Sequence, residues 1–362
     1  MQLSTTPIHV LFRVDASSQI GLGHLLRCLA LAQAFDSASY RVTFIVNEAA
    51  YAVCQSREDW VGSRVIIPSE FADSDTQELA WIENFIQIHA VDIAVIDGYH
   101  FGECFREVFR QLCKLVVAFD DMNCLHALFC DVVINAAPMA FQLNYDNTAP
   151  TATQCLGASY RVMRREFAEI RALPISKRQA LTIIMGGSDP KGLTIPLLNA
   201  MNAYPIHFPV NVITGAAYPN QSELLRVLEG LSFDVSHYHD LQRVAALFNQ
   251  SRLVISAAGS SQFELQTCGT PSHLLVVADN QLLATQSAQE EGWARVHDLS
   301  VVNDSAMIAQ CEKIVESVLC DFNDYEQLTR MHELALRYAD NEGATRVVKA
   351  IEQKYKELTG KC

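Results

Sequence analysis

The sequence predicts an α/β protein of two domains, each a parallel sheet with helices on both faces. Three observations carry this expectation. The chain has 362 residues, more than a single core of roughly 100–200 residues holds. Half of them are apolar, which supplies ample material to bury. Short apolar runs bounded by turn residues alternate with helical periodicity almost throughout, the pattern of buried parallel strands joined by crossover helices.

Taken in order, the strand candidates of the first half are 9–14, 42–46, 64–67, 91–96, 115–119 and 132–135. Those of the second half are 181–185, 210–214, 234–238, 253–256 and 272–277, and helices fit between them. The charged, Pro-containing segment 164–178, "RREFAEIRALPISKR", separates the two series and reads as the linker. The expected division is therefore 1–168, 169–322 and a helical, charged extension 323–362. The extension either packs back across the junction or stands as a solvated tail helix.

A net charge of −14 and a pI near 5.2 speak against a nucleic-acid or anionic-membrane partner, since both rely on clustered Lys and Arg. A small-molecule partner is expected, with any anion held locally by backbone N–H groups and hydroxyls. The eleven cysteines are scattered, without a CxxC pair or zinc spacing, and read as reduced core thiols; neither metal nor cofactor is expected. The opening residues run straight into a strand pattern with no secretory signal, and no apolar run has the length of a membrane helix. These features predict a cytoplasmic location and a monomer or weak homodimer.

Three strand-to-helix turns carry the candidate chemistry. In "DASSQIGLGH" the first strand ends at Asp15, Gly21 and Gly23 relax the backbone, and a helix begins near His24 with apolar Leu25, Cys28, Leu29 and Ala32 on one face. His24 then lies at the C-terminal edge of the sheet, where open α/β folds bind ligands. A generic turn whose histidine caps or faces solvent has the same pattern. A dinucleotide site fits poorly, because its third glycine would fall on Leu26 and its acidic partner on Glu48. "IIMGGSDPKG" places Gly187 and Ser188 before a helix near Leu193, lacks P-loop spacing, and suits either a phosphate or an empty tight turn. "SAAGSSQFE" opens a helix with Gly259, Ser260 and Ser261, and sets Glu264 one turn along. That separation suits phosphate at the N–H groups and ribose on the carboxylate, or a capping-box glutamate.

Together, "FRVDASSQIGLGHLLRCLALA", "VIDGYH", "FDD", "CLGASYRVMRREF", "IIMGGSDPKG" and "SAAGSSQFEL" followed by "DNQ" resemble the UDP-2,4-diacetamido-2,4,6-trideoxy-β-L-altropyranose hydrolases of pseudaminic acid biosynthesis. These are relatives of the N-acetylglucosaminyltransferase that completes the peptidoglycan lipid precursor. The likeness runs from about residue 8 to residue 297, and its DASxxIGxGHxxRC signature is specific. The resemblance implies a GT-B architecture of two Rossmann-like domains facing across a cleft, with the nucleotide held mainly by the second. It implies metal-independent, inverting hydrolysis of a UDP-sugar at the anomeric carbon. It also implies that His24 is the essential histidine, and that Tyr99 and Asn280 are active-site residues. Glu264 corresponds to the ribose ligand, Ser188 and residues 259–261 to the diphosphate contacts, and the backbone near Leu241 to the uracil reader. Gly98 before Tyr99 and the stretch beyond residue 320 depart from the family pattern.

On this reading His24 is the general base for water. Asp15 either orients the imidazole, binds a sugar group, or caps the loop. Rival readings are a GT-B glycosyltransferase that passes the sugar to an acceptor alcohol, a non-catalytic UDP-sugar binder, and a hydrolysing epimerase of UDP-N-acetylglucosamine.

Overall fold

A computed structural model describes residues 6–17, 22–71 and 75–360, without the side chains of residues 75, 279, 280, 283, 284 and 304. The chain forms two compact units. The first runs up to Arg165 and resumes at Asp340; the second is Glu166–Ala339.

In the first unit, β1 (Ile8–Val14), β2 (Tyr40–Val46), β3 (Ser63–Ile66), β4 (Ile93–Asp97), β5 (Leu115–Phe119), β6 (Val132–Asn135) and β7 (Thr153–Leu156) form one sheet in the order β3-β2-β1-β4-β5-β6-β7. Every pairing is parallel. Side chains alternate between two apolar layers. Val10, Phe12 and Val14 pack with Leu25, Cys28 and Val347, whereas Leu11 faces Ile45, Ala94 and Ile96 in the other layer. Burial on both faces is why these strands read as continuous apolar runs instead of alternating ones.

The second unit repeats the plan with β8 (Ala180–Ile184), β9 (Val210–Thr214), β10 (Val235–His239), β11 (Ser251–Ala257), β12 (Ser272–Val276) and β13 (Ala294–Asp298). Their order is β10-β9-β8-β11-β12-β13, again all parallel.

β7 and β13 are additions to the strands expected from sequence. Both are edge strands. "TQCL" and "ARVHD" mix polar with apolar side chains, because an edge strand has one neighbour and a partly wet face.

The stretch 323–362 is not a separate body. Its helix Tyr325–Tyr338 sinks Leu328 into the apolar core of the second unit, while Gly343–Thr359 packs Val347, Ile351 and Tyr355 into that of the first. The ten described cysteines are all free, and most are buried as small apolar side chains. No described helix is long and apolar enough to cross a membrane.

Candidate active site

In the first sheet the chain moves outward from β1 to β2 and β3, then returns to place β4 on the other flank of β1. The connections leaving β1 and β4 therefore diverge and open a crevice at their carboxyl ends, where ligands bind in open α/β sheets. Two chemically active side chains meet there. The loop after β1 leads into helix Gly23–Ala34, which carries His24 in its first turn. Asp97 is the last residue of β4, in register with Val14.

Asp97 is wholly enclosed and accepts four donors. His24 Nδ1 lies 2.7 Å from its Oδ1, and Arg27 Nη2 2.6 Å from the same oxygen. Arg27 Nε binds Oδ2 at 2.6 Å, and the Cys28 thiol approaches that oxygen at 3.6 Å. The spacing GHxxRC thereby acquires a cause: positions i, i+3 and i+4 share one face of a helix, so His24, Arg27 and Cys28 converge on a single carboxylate. Burial pushes the Asp97 pKa up, but Arg27 and His24 outweigh it and hold the group below the ordinary carboxylate value. Asp97 is therefore an anion.

Arg27 Nη2 lies 3.0 Å from the same Nδ1, but the closer anionic oxygen at 2.7 Å favours a proton on Nδ1, donated to Asp97. Nε2 then bears the lone pair, and it has no hydrogen-bond partner among the described residues. The ring is 9 % exposed. Arg27 continues outward to Asp121, with Nη1–Oδ1 at 2.9 Å and Nη2–Oδ2 at 3.0 Å, and its guanidinium lies 5.0 Å above the Phe119 ring. Tyr99 closes the group: its hydroxyl donates to Asp121 Oδ2 at 2.7 Å, and its ring stands edge-on to His24 at 4.8 Å. Partial burial and the Asp121 carboxylate push the Tyr99 hydroxyl well above its usual pKa, so it stays a donor. Tyr99 is itself 61 % exposed.

Asp15 does not orient the imidazole. Its carboxylate makes a two-point ion pair with Arg13 at 2.6 and 2.8 Å, receives His100 Nε2 at 3.0 Å, and accepts the Asn47 N–H at 2.8 Å. Burial raises its pKa, but His100, Arg13 and Asn47 outweigh that and leave it far below the ordinary value. It ties the end of β1 to the end of β2. Gly98 is needed because a Cβ there would lie 2.8 Å from the Phe101 ring.

Asp97, Arg27 and Asp121 are functional candidates that the sequence reading passed over. The signal lay in "VID" and "FDD", where an acidic residue stands at or just beyond the carboxyl end of a buried parallel strand.

In the second unit the same strand-order reversal falls between β8 and β11. The turn with Gly187 and Ser188 follows β8 and the turn with Gly259 and Ser260 follows β11, so the two glycine turns stand on neighbouring strands. Gly187 and Ser188 are exposed. The helix beyond them starts at Thr194, and Asp189 caps it by accepting the N–H groups of Leu193 and Thr194 at 2.8 and 2.9 Å. That helix end is therefore occupied. Ser260 precedes helix Ser261–Thr267 without making a side-chain cap bond, and Glu264 lies half-buried in its first turn. Leu241 follows β10, the edge strand. Asn280 falls in helix Asp279–Glu291, its side chain outside the described atoms. Gly21 lies outside the described residues, and Gly23 opens the helix of His24 with no atom within 4 Å of a Cβ placed on it.

Comparison with known proteins bears on both units. No family model matches the chain. A UDP-2,4-diacetamido-2,4,6-trideoxy-beta-L-altropyranose hydrolase of Campylobacter jejuni is 28 % identical over 69 % of this chain and 85 % of its own length. The spore coat polysaccharide biosynthesis protein SpsG of Bacillus subtilis is 23 % identical over 97 % of this chain and 99 % of its own. An uncharacterised protein of Methanocaldococcus jannaschii is 27 % identical over 74 % of this chain, a match that spans only 55 % of that relative. Among solved structures, the MurG of Acinetobacter baumannii superposes with a TM-score of 0.63 over 96 % of this chain and all of its own, at 14 % identity. A putative UDP-N-acetylglucosamine 2-epimerase of Listeria monocytogenes gives 0.63 over 97 % of this chain and 98 % of its own, at 13 %.

The fold is GT-B. The resemblance read from the sequence motifs is found again in the hydrolase match. In GT-B terms, the His24 group belongs to the N-terminal unit and both glycine turns to the C-terminal one.

Proposed function

We propose that the chain is a nucleotide-sugar-processing enzyme, and specifically that it hydrolyses UDP-2,4-diacetamido-2,4,6-trideoxy-β-L-altropyranose or a close isomer, as the Campylobacter relative is named to do. The observation that carries the reading is the 2.7 Å contact of His24 Nδ1 with Asp97, which leaves Nε2 as the proton acceptor. A water bound at Nε2 gives up its proton to the imidazole while its oxygen attacks the anomeric carbon. The C1–O bond breaks with inversion, and its electron pair leaves on the β-phosphate of UDP. Asp97 stabilises the imidazolium so formed without itself taking the proton.

General-base assistance contributes about 10²–10⁴-fold. The remainder falls to the hold on the departing diphosphate, which this reading assigns to Ser188, Gly187, Gly259, Ser260 and Ser261. Glu264 takes the ribose and the backbone near Leu241 the uracil. Tyr99 and Asn280 contact the sugar or its phosphate.

Turnover in ¹⁸O-water without an acceptor tests the reaction. Label is expected in the free sugar, sampled before ring opening exchanges it, and not in UDP. Label in the UDP phosphate means P–O cleavage and overturns the mechanism. Sugar transfer only when an alcohol is added means a glycosyltransferase. His24→Ala is expected to lower kcat by about 10²–10⁴-fold with UDP affinity nearly intact by calorimetry; retention of more than a few per cent of activity removes His24 from the base role.

A further inference from the structure

Behind Tyr99 the first unit holds a cavity of about 50 Å³ whose lining includes Asp97, Arg106, Phe119, Asp120, Met122 and Leu125. A single water needs about 10–15 Å³ by this measure, so the space suits a group of three or four heavy atoms. Arg106, from helix Glu103–Leu112, is 3 % exposed. Its Nε donates to the Phe101 carbonyl at 2.9 Å, yet no other N–H of the guanidinium has a protein partner among the described residues, and Nη1 is sealed from solvent without one. A buried cation with unmet donors is costly unless something supplies acceptors.

The surroundings narrow what that is. Asp120 accepts the Tyr145 hydroxyl and the Asn123 N–H on Oδ2 at 2.6 and 2.7 Å, and its Oδ1 has no hydrogen-bond partner among the described residues. An anion entering here would meet Asp97 and Asp120 as well as Arg106. A neutral amide meets no such opposition: its carbonyl suits the guanidinium, its N–H suits a carboxylate, and its methyl suits Phe119, Met122 and Leu125.

We infer that this cavity is an N-acyl subsite in which Arg106 donates to the amide carbonyl of an acetamido group on the substrate sugar. The inference rests on the proposed reading of the site as a sugar-nucleotide site. It makes Arg106 a specificity-determining residue of the N-terminal unit.

The test uses the full chain and two readouts. The first is saturation-transfer NMR with N-methylacetamide as the amide probe and acetate as the anionic one. Wild type is expected to saturate the acetyl methyl of N-methylacetamide and not acetate, and the signal is expected to fall at least about threefold in Arg106→Leu and in Met122→Trp. Met122 is more than half exposed, so the tryptophan plugs the mouth of the cavity without entering the core; if the Arg106 variant fails to fold, this variant decides. The second readout is UDP release from the diacetamido sugar nucleotide, where both variants are expected to raise KM about 10–100-fold, the range for losing one hydrogen bond to a charged group, with UDP affinity unchanged.

Equal N-methylacetamide signals in all three proteins, or stronger saturation of acetate, overturn the subsite. Absence of UDP release from wild type overturns the hydrolase reading instead, and the amide probe then decides the cavity on its own.

Discussion

Two aspartates end neighbouring strands of one sheet, and their partners give them different work. Asp97 faces His24 and Arg27, whereas Asp15 faces Arg13, His100 and the Asn47 N–H. The difference predicts opposite phenotypes. Asp97→Asn replaces one acceptor oxygen with an N–H₂ and removes the charge that fixes the Nδ1–H tautomer, so kcat is expected to fall about 10²–10⁴-fold at unchanged UDP affinity. Asp15→Asn leaves the imidazole untouched but breaks a buried ion pair from one side. Urea denaturation is expected to show a loss of about 3–5 kcal/mol, with kcat within about threefold of wild type. Should Asp15→Asn abolish turnover at preserved stability, the roles assigned to the two carboxylates are exchanged.

At the scale of elements, central strands and the turns after them were legible in the sequence because both faces of those strands are buried and the turns require small residues. The edge strands β7 and β13 were not, since "TQCL" and "ARVHD" carry too little apolar periodicity to stand out from loops. The site was half legible. His24 announced itself through its glycine loop, but Asp97 looked like any strand-ending acid, and only the β1–β4 pairing brings it beside the imidazole. Asp15, the first residue of the glycine loop, was the nearer candidate in sequence, but its carboxylate faces Arg13, His100 and Asn47.

Gly215 shows the same dependence on pairing. It follows β9 and has no motif around it, yet a Cβ there would lie 2.5 Å from the Gly187 carbonyl oxygen and 2.6 Å from the Gly187 Cα. Such contacts are with backbone, so Gly215→Ala has to displace the turn that the proposed function assigns to the diphosphate. UDP affinity is expected to drop by at least about tenfold, an amount equal to about 1.4 kcal/mol. Calorimetry showing wild-type affinity would mean that the Gly187 turn does not touch the nucleotide.

On the scale of the whole molecule, the chain leaves the first unit after Arg165 and re-enters it at Asp340, so the N-terminal fold is completed by residues that follow the whole of the second unit. Helix Gly343–Thr359 buries Val347 and Ile351 fully and Tyr355 almost so. Tyr355 donates to Asp92 at 3.1 Å, and Lys354 to the Thr151 carbonyl at 2.7 Å. Gly343 meets the Arg161 backbone so closely that no Cβ fits. The apolar burial alone is worth roughly 5–8 kcal/mol at typical values per side chain, comparable with the entire stability of many domains. A chain ending at Asn341 is therefore expected to lose the first unit while keeping the second. Hydrogen exchange should be fast across 6–165 and protected across 166–339, and UDP should still bind although turnover is gone. Protection that persists in β1, β4 and β5 after the truncation would show that the N-terminal sheet holds without its closing helix, and would return that helix to the status of an appendage.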